Sequence, residues 1–154
     1  MMHAPSLPYA ELQVTSNFSF LHGAAHPEEL VARAAELGHR AIAITDRNTL
    51  AGVVRAHLAA RETGIRLVVG ARLDFTDSAS LLCLPTGRAA YGRLSQLITL
   101  GRRRAPKGEC HLGLADFLAS SDGQIAIVLP PAKNHPAQDF PDRLRRIVAA
   151  MPGR

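Results

Sequence analysis

At 154 residues, 47% of them apolar, the chain can bury the core of one ordinary domain and is too hydrophobic to remain disordered. No apolar run reaches membrane-span length, and the opening MMHAPSLPYAEL lacks the basic and apolar regions of a secretion signal, so a cytoplasmic protein without a membrane partner is expected. The net charge of +5, carried almost wholly by arginine, suits phosphate partners, whose oxygens a guanidinium pairs two at a time, and equally suits a GC-rich genome.

With no tryptophan and few aromatics, packing falls to Ala, Leu, Val and Ile, as in helices laid on a parallel sheet. After an N-terminal tail (1–8), ELQVT (11–15) reads as a first strand. HPEELVARAAELG follows with Pro27 at a first helical position, Glu28 and Glu29 in the first turn, and Leu30, Val31, Ala34 and Leu37 at helical spacing up to Gly38. RAIAIT (40–45) is a continuous apolar strand of the doubly buried kind. TDRN is a turn, with Asn48 or Thr49 as cap of a helix that Gly64 ends; IRLVVG is the next buried strand. Strand, helix, strand, helix, strand with short connections predicts right-handed crossovers and a parallel α/β sheet.

Beyond it, SASLLCLP (78–85) and GQIAIVLPP read as strands. GRAAYGRLSQLITLG (87–101), GLADFLASS and DRLRRIVAAM read as helices, Asp142 lying near the start of the last. RRRAPKGEC is a basic loop and AKNHPAQDFP another loop. The last helix runs into Pro152-Gly153-Arg154, a turn towards a further strand, so the chain is expected to be the front part of a larger α/β protein.

Sites in parallel α/β folds gather where strands end at their carboxyl sides. Three such ends carry Gln13, Thr15, Ser16 and Asn17; Thr45, Asp46, Arg47 and Asn48; and Gly70, Arg72 and Asp74. A metal needs several converging His, Asp, Glu or Cys ligands. Here one aspartate stands among amides, hydroxyls and an arginine that would repel a cation. His22 and His26 could approach Asp46 from the loop after the first strand. His39 and His57 are explained by packing or solvent, and His3, His111 and His135 have no partner pattern. Ser16 and Asn17 are assigned to turn chemistry and Phe18 and Phe20 to the core. No Ser-His-acid arrangement and no glycine-rich nucleotide fingerprint is read. Cys83 and Cys110, outside any CxxC, read as reduced thiols. Arg102, Arg103, Arg104 and Lys107 form either a solvated loop or a phosphate-backbone contact, and Arg143, Arg145 and Arg146 a wet helix face.

The run SNFSFLHGAAHPEELVARAAELGHRAIAITDRNTLAGVVRAHLAARETGIRLVVGARLDF, continued by LPTGRAAYGRLSQLITLGRRRAPKGEC and GQIAIVLPP, resembles a PHP domain (polymerase and histidinol phosphatase). More narrowly, it resembles the N-terminus of bacterial error-prone DNA polymerases of the C family, relatives of the replicative alpha subunit. The resemblance covers residues 9–154. It implies a distorted TIM-like barrel of parallel strands and outer helices, here truncated before its C-terminal strands, with a metal-binding cleft at the strand ends. The family's His-x-His falls on Gln13-Val14-Thr15, its Thr-Asp-His on Thr45-Asp46-Arg47, and a glutamate after the third strand on Arg72. Of those ligands only Asp46 is kept. The resemblance thus implies a vestigial site at Gln13, Thr15, Asp46, Arg47 and Arg72, with no catalytic residue, no metal and no other cofactor.

The expectation is an inactive scaffold segment of a DNA-directed DNA polymerase acting in DNA-damage tolerance, its partners the downstream polymerase domains and DNA. Two other readings stay open. One is a phosphoesterase with a divalent metal on Asp46, His22 and His26. The other is a nucleic-acid-binding module using Arg102, Arg103, Arg104 and Lys107.

Overall fold

The computed structural model describes residues 8–130 and 140–151. The N-terminal tail through residue 7, His3, His135, nearly all of the AKNHPAQDFP loop and the Pro-Gly-Arg end lie outside them. The chain forms two compact units. One holds the described residues up to Asp46 together with Ala51–Val69; the other holds Arg47–Leu50 and the described residues from Gly70 on.

In the first unit, β1 (Ala10–Val14), β2 (Ala41–Ile44) and β3 (Arg66–Val69) form a parallel sheet in that order, joined through α1 (Pro27–Glu36) and α2 (Val53–Thr63). Pro27 opens α1, and the Glu29 carboxylate accepts the His26 backbone N–H at 2.8 Å, closing one of the amides a helix start leaves open. Gly38 and Gly64 take the left-handed conformation (φ +72° and +75°) that ends each helix. All four residues of β2 are buried. Val31, Ala34, Ala56, Ala59 and Ala60 close on Ile42 and Ile44 as the core, the alanines letting helix and sheet approach closely.

Two expectations fail here. α2 begins at Val53, with Gly52 as its N-cap, because Asn48 is committed elsewhere. Asn48 sits at φ +49°, donates its N–H to the Arg72 carbonyl and accepts the Asp74 N–H on its side chain. β3 is the edge of the sheet and half-exposed, not buried.

The second unit departs further from a parallel reading. β4 (Ala71–Leu73), β5 (Leu81–Pro85) and β6 (Gln124–Val128) form an antiparallel sheet in that order. The described strands thus make a mixed α/β fold of two open sheets, and no closed barrel is formed among them. Helices α3 (Arg88–Arg103), α4 (Leu114–Ala119) and α5 (Phe140–Ala150) complete this unit. Its core gathers Leu73, Leu81, Leu94, Leu97 and Leu112 around Phe117, which is wholly buried. Cys83 lies in this core, and burial pushes its thiol up to about 12; Cys110 is likewise raised by burial, and both cysteines are free. No helix among the described residues is long and apolar enough to cross a membrane.

Candidate functional site

Asp46 follows the carboxyl end of β2 and is 2% exposed. A carboxylate so placed is costly unless its oxygens are satisfied. Here they are. Oδ1 accepts the Ser16 backbone N–H at 2.8 Å and the Ser19 hydroxyl at 2.7 Å, and Oδ2 accepts the Ser16 hydroxyl at 2.7 Å. Both serines are buried with it.

The stretch after β1 is folded to present these donors. Ser19 N–H donates to the Ser16 carbonyl, and His22 and Gly23 N–H both donate to the Ser19 carbonyl. Gly23 permits this winding: a Cβ there would stand 2.3 Å from the Ser16 carbonyl oxygen. Gly52 closes the other side, where a Cβ would lie 3.1 Å from Asp46 Oδ2. From the sequence alone Ser16 has a turn role and Ser19 none. The available signal was SNFS-x3-G, two small hydroxyls and a glycine opposite the next strand's aspartate.

The other predicted residues on this unit do not converge on Asp46 as ligands. Gln13 is exposed on β1, its N–H donating to the Glu11 carboxylate at 2.9 Å, and Thr15 is half-buried just past the strand. His22 is exposed. His26 caps α1, with Nδ1 3.0 Å from the Asn17 side-chain nitrogen. Among the described residues, no group of three His, Cys, Asp or Glu side chains could hold a metal ion, so the Asp46–His22–His26 constellation is not assembled. Phe18 and Phe20, expected in the core, are 38% and 82% exposed, and Ser16 and Ser19 occupy the inward positions of the turn instead.

In the second unit, Arg47 and Arg72 meet through a parallel bridge and share one carboxylate. Arg47 Nε lies 2.6 Å from Asp74 Oδ2 and Arg72 Nε 2.8 Å from Oδ1, while the Ser80 hydroxyl donates to Oδ1 at 2.6 Å. Burial pushes the Asp74 carboxyl up, but the Ser80 hydrogen bond and the two guanidiniums outweigh it and hold it below its ordinary value. Two guanidiniums thus hold this one carboxylate.

The basic segment is not a loop throughout. Arg102 and Arg103 form the last turn of α3 and Arg104 its C-cap, where cations meet the negative end of the helix. The Arg102 guanidinium donates to the Asn48 carbonyl at 2.9 Å and Arg104 pairs with Asp116 at 2.8 Å. Arg103 and Lys107 are exposed. Arg145 and Arg146 are exposed on α5 and Arg143 is partly so.

The profile described as PHP domain matches residues 11–151. The chain is 54% identical over 147 residues to an error-prone DNA polymerase of Caulobacter vibrioides, across 95% of this chain. It is 51% identical over 150 residues to error-prone DNA polymerase 2 of Agrobacterium fabrum, across 94%. It spans only 13% of the length of either relative. Among solved structures, an amidohydrolase from Chromobacterium violaceum, holding sulfate and no metal, superposes with a TM-score of 0.66 at 17% identity, covering 94% of this chain and 75% of that one. On the family match over nearly its whole length, the chain belongs to the PHP domain family.

Proposed function

We propose that the chain is the N-terminal PHP segment of an error-prone DNA polymerase working in the cytoplasm in DNA-damage tolerance, and that it serves there as a scaffold without chemistry of its own. Its strands then form an incomplete part of a distorted TIM-like barrel. The observation that carries the reading is the state of Asp46: its carboxylate spends both oxygens on Ser16 and Ser19. The positions that the resemblance assigns to metal ligands offer an amide at Gln13, a hydroxyl at Thr15 and guanidiniums at Arg47 and Arg72. These do not fit zinc, which takes imidazole, thiolate or carboxylate donors, and two guanidiniums repel any divalent cation. Guanidiniums stay protonated at any working pH and have no lone pair to give. The relatives' names support the polymerase context, and their much greater length supports downstream domains as partners.

The test is enzymatic. A polymerase chain beginning with this segment extends primers across damaged template, while the 154-residue chain alone hydrolyses no phosphomonoester or DNA 3′ end with zinc or manganese supplied. Metal-dependent hydrolysis by the short chain would contradict the scaffold reading.

A further inference from the structure

The turn that clamps Asp46 pushes two large apolar side chains outward. Phe20 is 82% exposed and Leu21 86%. Leu21 holds φ +61°, a left-handed conformation that a branched residue adopts at a cost. The tip is not loose: the backbone bonds to the Ser16 and Ser19 carbonyls and the bond from Asn17 N–H to the Ala25 carbonyl fasten it, while Ser16 and Ser19 bolt it to Asp46. A rigid turn presenting adjacent aromatic and aliphatic residues loses little entropy on docking, as interface anchors require.

We infer that Phe20 and Leu21 are the anchor by which this segment docks into an apolar recess on another part of the longer polymerase chain. The inference rests on the reading of the chain as one segment of such a polymerase, of whose length it spans about an eighth in the relatives. A protein occupant is favoured over nucleic acid by charge. From residue 12 to residue 32 the sequence has no lysine or arginine, whereas a turn that inserts between or stacks on bases is flanked by cations that hold the phosphates.

Hydroxyl-radical labelling of Phe20 and Leu21, compared between the 154-residue chain and the longer polymerase, tests the docking. The expected result is strong labelling in the short chain and several-fold protection in the polymerase without DNA. The double variant Phe20→Ser, Leu21→Ser should leave the short chain's melting unchanged and weaken its association with the rest of the polymerase by about tenfold or more. Protection appearing only when DNA is added assigns the tip to nucleic acid and overturns the proposal. So does protection in the short chain that grows with its concentration, which assigns the tip to a second copy. Equal labelling in both, in a polymerase that extends primers, overturns the docking alone. Absence of any polymerase chain carrying the segment overturns both this proposal and the reading beneath it.

Discussion

Asp46 shows how a single position can keep its residue and change its work. An aspartate after the second strand is legible in the sequence, and so is the loss of imidazoles around it. What the sequence hides is the replacement, because Ser16 and Ser19 lie roughly 30 residues away from Asp46 and a serine in a turn has many uses. The exposed Phe18 and Phe20 were hidden for the converse reason. Apolar residues in a loop read as core, yet here the inward positions of a tight turn, three residues apart, are the hydroxyls of Ser16 and Ser19. Removing the carboxylate leaves buried donors unsatisfied, so Asp46→Ala should destabilise by about 3 kcal/mol. Asp46→Asn should cost about 1 kcal/mol, because the amide oxygen still accepts and the Ser16 hydroxyl can rotate to accept from the amide. Urea unfolding of the two variants beside the parent chain checks the order; equal costs would count against hydrogen bonding as the role of Asp46.

Among the elements, α1 and α2 were legible because their signals are local. Pro27, Glu28 and Glu29 mark a start, Gly38 and Gly64 mark stops, and apolar spacing sets the buried face. The direction of β5 and β6 was not, since a run such as LLCLP looks the same in parallel and antiparallel pairing. The change of sheet was hidden in IRLVVGARLDF, where Gly70 alone separates β3 from β4. Charge at α3 misled similarly: three arginines in a row suggest a loop, but two of them finish a helix. The Asp74 cluster ties together the Arg47 segment, β4 and the stretch leading into β5. Its folded proton affinity is below its ordinary value, so the stability it contributes is whole above pH 3.8 and is lost as pH falls through the lower folded value. Asp74→Asn should cost about 2 kcal/mol at pH 7 and flatten the fall in stability below about pH 4. Asp116 and Glu11, also held low, keep part of that slope. Urea midpoints at pH 7 and pH 3 decide; an unchanged slope would mean that Asp74 is not held by its two arginines.

At the scale of the molecule, two small cores and two open three-stranded sheets among the described residues carry a family architecture. The two aspartates at its strand ends are each satisfied by neighbouring side chains. Asp46 takes hydroxyls in one unit, and Asp74 takes guanidiniums in the other. Ion pairs and hydrogen bonds of this kind can hold chain segments together without a cation, as the proposed scaffold role requires. The most direct test of that claim is a calorimetric titration of the purified, metal-stripped chain with zinc and manganese. No stoichiometric binding of either ion is expected. One equivalent bound tightly by the parent chain, and lost in a folded Asp46→Asn variant, would contradict it.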